Sequence, residues 1–426
     1  MNELCFISKN NIYLLGKEDY IMNEANRKKI DPILMLILIA MSLTSLVAIY
    51  SAIPLINSNY TPAFILGKQM VWILLGFCIM LFMYYIGTER FELLIYISYY
   101  ILLFALLLLV IQRFFELPFL SKIIRMTNGS YAWYTIPGIG TIQPSEFMKI
   151  VLIIIVANVI EKHHKLYPKN TYATDFKLII DIMKYVIPPA LLIYYEPDSG
   201  VTLIILCSIA FMLLASGIKA EWFIIGACFV GIILLFVGIL YLSNPEFVID
   251  YIIGGDYKIL RIMGWLKPEE YILSYGNQLY TSLLAIGSAG QFGHGIQNVP
   301  IQIAEAQTDF IFAVIGSSFG VIGSIFVVFL CFSLDLRLLY IGYRTKKSRN
   351  KYIIAGLVGI LAFQQIENMG MITGPFPITG ITLPLISAGG SSMLSYMVIL
   401  AFVFQMYNEF EQKAEVTEVN ATRVKN

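Results

Sequence analysis

Long apolar runs separated by short polar segments occupy most of the chain from residue 33 onward. A helix needs about 20 apolar residues to cross a bilayer, and the runs are close to that length. We therefore predict ten crossings, at residues 33–53, 69–87, 93–112, 145–160, 178–195, 200–217, 222–242, 310–334, 353–373 and 383–406. The fifth has the weakest pattern, because it contains Asp181, Lys184 and a Pro-Pro pair. The predicted fold class is an all-α polytopic membrane protein.

The end of the ninth predicted helix and the whole of the tenth lie in one charge-free run from Asn368 to Asn408. This run is about twice as long as a single crossing requires. The segment 374–382 contains two prolines and two glycines. Proline removes a helix donor and glycine frees the backbone, so this segment is predicted to divide the run.

The distribution of basic residues predicts the orientation, because cytoplasmic loops carry an excess of lysine and arginine. If the N-terminus is cytoplasmic, 20 of the 29 lysines and arginines lie on that side and 7 on the other. Both termini are therefore predicted to be cytoplasmic. We divide the chain into a cytoplasmic leader (1–32), an integral membrane domain (33–407) and a cytoplasmic tail (408–426). The predicted extracytoplasmic segments are 113–144, a large loop before the eighth helix at 243–309, and 374–382.

Composition supports the membrane interpretation, since 58% of residues are hydrophobic and only 13% are charged, against roughly 25% charged in soluble domains. The five cysteines lack metal-ligand spacing, so we expect neither a disulfide framework nor a zinc site. No basic soluble module with interleaved aromatic residues indicates nucleic-acid binding. A cleavable signal peptide is not evident. Met22 precedes the basic residues Arg27, Lys28 and Lys29, so translation could begin there and residues 1–21 would then be an optional leader.

Polar residues recur at the outer end of the fourth predicted helix. Gln143, Glu146 and Lys149 are spaced three apart and share one helix face. This stripe either faces a water-filled cavity or forms a buried Glu146–Lys149 pair between helices, and both interpretations stay open. Farther on, Asp198 stands where it would cap the sixth helix, which we favour over a catalytic role.

Glycines at 287, 290, 293 and 295 follow an apolar stretch that resembles a short interfacial helix. They permit tight turns or close approach of the backbone to a ligand. The segment lacks the Gly-Lys-Ser/Thr of a phosphate-binding loop, and His294 within it has no partner at metal-ligand spacing.

Asp309 is the strongest single candidate for function. It stands at the mouth of a long apolar segment, and after it no charge occurs until Asp335. An ionisable group in that place is costly to desolvate and marks a functional site by default. The alternative is that Asp309 is an ordinary N-cap. Near the start of the last helix, the small residues 387–392 either allow close helix packing or present amides to an anion.

These segments together resemble the SEDS family, the RodA, FtsW and SpoVE proteins of bacterial cell-wall synthesis. The resemblance runs from about Ile33 to Tyr407. The motifs that carry it are Asn128-Gly129 with Trp133, Gln143-Pro144-Ser145-Glu146-Phe147 with Lys149, Pro197-Asp198 with Gly200, Gln278 with Ala285-Ile286-Gly287-Ser288, Thr308-Asp309-Phe310-Ile311-Phe312, and Asn368 followed by Pro377, Thr379-Gly380, Leu383-Pro384, Ser387 and Gly389-Gly390-Ser391.

The resemblance implies a multi-pass plasma-membrane glycosyltransferase that polymerises lipid II, an undecaprenyl-pyrophosphate-linked disaccharide peptide, at the outer face of the bacterial membrane. It also implies a class B penicillin-binding protein as partner and a role in elongation, division or sporulation. The family's essential aspartate falls on Asp309. The substrate-binding residues that we expect are Trp133, Gln143, Glu146, Lys149, Gln278, Ser387, Gly389, Gly390 and Ser391.

In the expected reaction Asp309 takes a proton from the attacking sugar hydroxyl. Burial would raise its pKa from the low value of an exposed aspartate, and a helix N-terminus would oppose that change. Lys149 and nearby amides would hold the leaving diphosphate. A divalent cation, Mg²⁺ or Mn²⁺, would serve the same purpose, although the sequence holds no dedicated set of metal ligands.

The chain departs from the family pattern at several positions. Ala132 stands where arginine is usual, Glu196 replaces glutamine, Ser317-Ser318 replace paired glutamates, and Ala388 replaces an aromatic residue. These changes take charge from the expected cavity and indicate an active but divergent member, with a weakened or regulatory member as the alternative. Two other functions stay open: a flippase for lipid-linked sugar, and a non-catalytic scaffold for a penicillin-binding protein.

Overall fold

A computed structural model describes residues 28–56, 61–127, 129–136, 140–244 and 262–425. Most of the predicted leader, Asn128 and the first part of the large loop lie outside these residues. The described helices are α1 (Pro32–Ala52), α2 (Pro62–Ile86), α3 (Glu92–Phe115), α4 (Pro144–Leu166), α5 (Tyr172–Tyr195), α6 (Ser199–Ser216), α7 (Glu221–Ser243), α8 (Asn277–Gly287), α9 (Ile311–Arg344), α10 (Ser348–Thr373) and α11 (Gly390–Lys425), with short 3-10 turns at Ile53–Leu55 and Thr88–Phe91.

Eight helices in the described part of the chain are long and apolar enough to cross a membrane: α1 with its 3-10 extension, α2, α3, α6, α7, α9, α10 and α11. The predicted mostly helical, polytopic membrane fold is confirmed. The fourth and fifth predicted crossings are also helical, as α4 and α5, but these two helices carry charged residues and are not among the eight.

The first helix begins where a buried aspartate caps it. Asp31 accepts hydrogen bonds from the amides of Ile33 and Leu34 at 3.0 and 3.1 Å, and Pro32 occupies the first turn. The same carboxylate accepts two hydrogen bonds from Arg337 near the end of α9, at 2.8 and 2.9 Å. This bidentate pair ties the start of α1 to the end of α9.

Glycines bring neighbouring helices close together in the core. A Cβ at Gly356 or Gly359 of α10 would lie 2.8 Å from Met212 or 2.9 Å from Phe211 of α6. On α2, a Cβ at Gly76 would lie 2.8 Å from Met397 of α11. Small residues therefore permit the close α6–α10 and α2–α11 contacts, as is common in membrane bundles.

Helix α9 is broken at Gly320, whose φ of 66° and ψ of −155° are not helical. The backbone of the preceding glycine-rich loop replaces the lost helix bonds. The amides of His294 and Gly295 donate to the carbonyls of Ser317 and Ser318, at 2.9 and 3.0 Å. The amide of Val321 donates to a carbonyl of the same loop at 3.2 Å. The predicted short helix before this loop is confirmed as α8.

Several predicted boundaries were wrong. The tenth crossing was placed from 383, whereas α11 begins at Gly390. The residues before it form a turn, because the amide of Leu383 donates to the hydroxyl of Ser387 and Leu385 has a φ of 63°. Helix α2 begins seven residues before its predicted start at 69.

Helices α9 and α11 also run past their predicted ends at 334 and 406, to Arg344 and Lys425. A two-stranded antiparallel hairpin was not predicted. It consists of β1 (Tyr134–Ile136) and β2 (Gly140–Ile142), with Tyr134 opposite Ile142. This hairpin leads directly into α4.

Candidate functional site

A cavity of about 400 Å³ opens among the loops and helix ends. Its wall brings together segments that are far apart in sequence: the hairpin region, the α5–α6 turn, the residues before α9, and the irregular segment before α11. The predicted site residues on this wall are Trp133, Gln143, Glu146, Asp309, Ser387, Gly389, Gly390 and Ser391.

Asp309 is half-buried on the cavity wall, two residues before α9 begins. Its backbone carbonyl accepts a 2.7 Å hydrogen bond from Nδ2 of Asn368 in α10. Gly380 lies against its carboxylate, since a Cβ on Gly380 would be 3.3 Å from Oδ2. Phe310 occupies the N-cap of α9. The alternative that Asp309 is itself the N-cap residue is therefore wrong.

The segment before α11 is fixed to the Asp309 loop. The hydroxyl of Ser387 donates to the carbonyl of Thr308 at 2.7 Å, and the amide of Ala388 donates to the carbonyl of Gln307 at 2.9 Å. At Gly390 a Cβ would lie 2.4 Å from the Trp72 ring. This contact agrees with close packing through small residues, one of the two interpretations of the segment.

The Glu146–Lys149 pair combines the two interpretations of the polar stripe. Glu146 lines the cavity, whereas Lys149 is 1% exposed and is not on the wall. The Nζ of Lys149 lies 2.8 Å from Oε2 of Glu146 and donates to the Tyr396 hydroxyl at 3.1 Å. That hydroxyl donates to Gln364, which lines the cavity again. The pair is thus a buried ion pair with its acidic member at the cavity.

Asp198 caps α6, as predicted, because its Oδ1 accepts from the Val201 amide at 3.2 Å. Its other oxygen, Oδ2, accepts from Nε2 of Gln143 at 2.8 Å, and both residues line the cavity. Burial raises the pKa of Asp198 to about 6, although the bonds from Val201 and Gln143 act in the opposite direction. The cap therefore also joins α4 to α6 at the wall.

One expected site residue, Gln278, and two of the departures from the family pattern, Ser317 and Ser318, lie away from the cavity. Gln278 is in α8, and Ser317 and Ser318 are buried beside the break in α9; none of the three lines the cavity. The expectation that the departures remove charge from the cavity is therefore wrong for the two serines, and it is also wrong for Glu196, which adds a carboxyl group where glutamine is usual. Ala388 is on the wall, and Ala132 is buried directly before the wall residue Trp133 in the chain.

The sequence argument missed Glu305 and Gln364, and it quoted Thr379 only as part of a family motif without a role at the site; all three line the cavity. Glu305 accepts a 3.0 Å hydrogen bond from the hydroxyl of Thr308. Its position four residues before Asp309 was the available signal. Gln364 stands outside the quoted motifs, so sequence spacing gave no sign of it.

The wall carries four carboxylates and no lysine, arginine or histidine among its described lining residues. The carboxylates belong to Glu146, Asp198, Glu305 and Asp309. Lys149 offsets one of them from behind the wall. In the described ranges, no group of three or more histidine, cysteine or acidic residues is arranged to hold a metal ion. The cavity thus offers acceptors to hydroxyl groups rather than cations to phosphates.

Comparison with known proteins identifies relatives along nearly the whole chain. The family model for cell cycle proteins of the FtsW, RodA and SpoVE type matches residues 32–412. The chain is 33% identical over 305 residues to a probable peptidoglycan glycosyltransferase FtsW of Lactococcus lactis, covering 69% of this chain and 72% of that one. It is 28% identical over 382 residues to the peptidoglycan glycosyltransferase MrdB of Escherichia coli, covering 89% and 93%.

A third relative, the stage V sporulation protein E of Bacillus subtilis, is 29% identical over 378 residues, covering 86% and 94%. Solved structures share the fold. One comes from a study of polymerization and crosslinking by a peptidoglycan synthase complex, with a TM-score of 0.70, 22% identity, and 89% and 98% coverage. The Thermus thermophilus rod shape determining protein RodA gives a TM-score of 0.60, 23% identity, and 90% and 98% coverage.

Proposed function

Because the chain belongs to the FtsW, RodA and SpoVE family of cell cycle proteins, we propose that it is a peptidoglycan glycosyltransferase that polymerises lipid II. The relatives named FtsW and MrdB support the activity, since their names give it. The observation that carries the proposal is the position of Asp309 on the wall of a cavity that also contains Trp133, Gln143 and the 387–391 segment.

In the proposed topology the chain crosses the plasma membrane ten times, with both termini in the cytoplasm and a large extracytoplasmic loop before the eighth crossing. The leader (1–32), the integral domain (33–407) and the tail (408–426) are the corresponding divisions. The cavity then faces outward, because its wall is built from the N-terminal ends of α4, α6, α9 and α11. In this topology those ends lie on the extracytoplasmic side. This is where a membrane-anchored substrate with a water-soluble sugar meets the protein.

The proposed reaction is an attack by a sugar hydroxyl on the anomeric carbon of a second chain. A bond forms between the hydroxyl oxygen and that carbon, the bond to the diphosphate oxygen breaks, and the hydroxyl proton passes to the carboxylate of Asp309. Asn368 holds the backbone of Asp309 in place, and Gly380 leaves room beside its Oδ2. Such positioning is a large part of catalysis by a general base.

The leaving diphosphate needs positive charge, and Lys149 does not reach the cavity wall. Carboxylate oxygens are suitable ligands for Mg²⁺ or Mn²⁺. The four wall carboxylates, however, are not gathered into a cluster of three or more within the described residues. They do not form a protein-built metal site, and no step of the proposed reaction is assigned to a metal.

The proposal is tested with purified protein and lipid II, scored as polymer in the presence of moenomycin. Asp309→Asn should lose polymerisation by about 10²- to 10⁴-fold, the usual contribution of a general base. The matched control is Asp181→Asn, which neutralises an aspartate of α5 paired with Lys184 and absent from the cavity wall. Undiminished polymer from Asp309→Asn would contradict the assignment of the base.

Two other functions have distinct outcomes in related assays. A flippase would move labelled lipid II across vesicles without forming polymer. A non-catalytic scaffold would support growth of a null strain with Asp309→Asn in place. Polar groups at helix ends rather than along the bundle favour catalysis over transport, because transporters place binding groups near the bilayer midplane.

A class B penicillin-binding protein is the proposed partner. The structural relative from a peptidoglycan synthase complex supports an assembly of this kind. Polymerisation measured with and without candidate partners from elongation, division and sporulation would assign the role, because the cognate partner should raise the rate.

A further inference from the structure

Glu196 is a buried carboxyl group beside the cavity. It follows the last residue of α5, and its backbone amide closes that helix by donating to the carbonyls of Leu192 and Ile193. The residue is 0% exposed, and within the described part of the chain neither carboxyl oxygen has a hydrogen-bond partner. The next two residues, Pro197 and Asp198, line the cavity.

The charged and polar groups near Glu196 bond to other atoms and leave its carboxyl group unpaired. Arg113 of α3 donates to the carbonyl of Tyr195. Tyr134 of β1 donates its hydroxyl to the carbonyl of Ala105 at 2.7 Å. Asp198 acts on Glu196 as a like charge, and Glu146 of α4 acts on Asp198 in the same sense. Among the described residues, no cation donates to either carboxyl oxygen of Glu196.

An isolated carboxylate in such surroundings is strongly unfavourable, and the group avoids the cost by keeping its proton. Burial, and to a smaller extent Asp198, raise the pKa of Glu196 to about 9. The burial of the carboxyl group without a partner and its raised pKa both favour the protonated form.

We propose that Glu196 is a positioning residue that works as a neutral carboxylic acid. In that form it allows the α5–α6 turn to stay closed against the hairpin region, where the hydroxyl of Ser130 donates to the backbone carbonyl of Glu196. The turn in turn places Asp198 against Gln143. Ionisation would set a second negative charge beside Asp198 and drive the turn from the wall.

The pH dependence follows from the direction of the pKa change. A carboxyl group with a raised pKa in the folded state stabilises that state fully at low pH, below its ordinary value. This contribution falls as pH rises and is gone above about 9. Stability and, if the proposed polymerase function holds, activity should therefore both decline toward alkaline pH.

The experiment compares the wild-type protein with Glu196→Gln, which keeps the size of the side chain and replaces the carboxyl group with an amide that does not titrate. Infrared difference spectra at pH 8 should show the band of a protonated carboxyl group that is present in the wild type and lost in the variant. Thermal melting in detergent from pH 6 to pH 10 should show a smaller alkaline loss for Glu196→Gln. Polymerisation should be within about threefold of wild type at pH 7 and should lose its alkaline decline.

The spectral and melting readouts do not require polymerase activity, so they separate this proposal from the proposed function. A wild-type spectrum without the Glu196 band would overturn it, whether or not the variant is active. An equal alkaline loss of stability in both proteins would overturn it as well. If Glu196→Gln fails to fold, the wild-type spectrum is compared with that of Glu196→Asp. The band of the protonated carboxyl group should then appear in both proteins, at a shifted frequency in the variant. A wild-type spectrum without this band decides against the proposal.

Discussion

The side-chain amide of Asn368 donates 2.7 Å hydrogen bonds to two backbone carbonyls, those of Asp309 and Ile381. It thereby joins the loop before α9 to the segment before α11, with α10 as the support. Asn368 is 0% exposed, so these bonds are made away from water.

Asn368→Asp should reduce polymerisation at least tenfold, because a carboxylate cannot donate to either carbonyl. Each buried carbonyl left without its donor costs about 1–3 kcal/mol. Initial rates with lipid II measure the effect. Asn170→Asp is the matched control, since Asn170 donates to the carbonyl of Gly217 at an exposed site. Equal rates for the two variants would argue against the positioning role of Asn368.

Gly380→Ala should lower activity more than Gly374→Ala does. Both glycines have positive φ, of 75° and 102°, so alanine introduces backbone strain of roughly 1–2 kcal/mol at either position. Only at Gly380 would the new Cβ approach the carboxylate of Asp309, at 3.3 Å; at Gly374 nothing lies within 4 Å. Rates and melting temperatures of the pair separate strain from contact. The prediction fails if the two variants lose activity equally.

Lys149→Met should destabilise the protein by about 3–5 kcal/mol, because it leaves Glu146 buried without its counter-ion. The double variant Glu146→Gln/Lys149→Met should recover much of this loss. Melting of the purified proteins is the measurement. The control is Lys184→Met, which breaks an ion pair of the same spacing whose side chains are 64% and 31% exposed; surface pairs contribute about 0–1 kcal/mol. A double variant as unstable as Lys149→Met would contradict the argument.

Asp198→Asn should become more stable relative to wild type as pH rises from 5 to 7.5. Asparagine caps a helix as well as aspartate does. Because the pKa of Asp198 is raised to about 6, its protonated form stabilises the fold, and that contribution is lost as pH rises through about 6. Asparagine has no proton to lose. Melting curves at the two pH values test this, with Asp181→Asn as the comparison; an unchanged difference would count against it.

The helical architecture could be predicted because apolar runs of membrane length are a local property. The cap at Asp198 was also local, since it depends on a side chain three residues from its donor. The hairpin of Tyr134–Ile136 with Gly140–Ile142 was missed, because strands of three residues leave no alternating pattern to detect.

Site membership depended on contacts between distant segments. Asp309 and the 387–391 segment could be linked only through the family resemblance, whereas the structure joins them through Thr308 and Ser387. Lys149 and Gln278 were expected to contact substrate. The first lies behind the wall and the second is not among its lining residues. Helical spacing says which residues share a face, but it does not say which face meets the cavity.

The break in α9 also constrains how this part of the chain can vary. A Cβ at Gly320 would lie 2.4 Å from the carbonyl oxygen of Gln291, and a Cβ at Gly293 would lie 2.3 Å from that of Ser318. At each glycine the opposite backbone fills the space that a side chain would need, so neither position can take a side chain while the other segment stays in place. A side chain at either position would therefore require both segments to be rebuilt together.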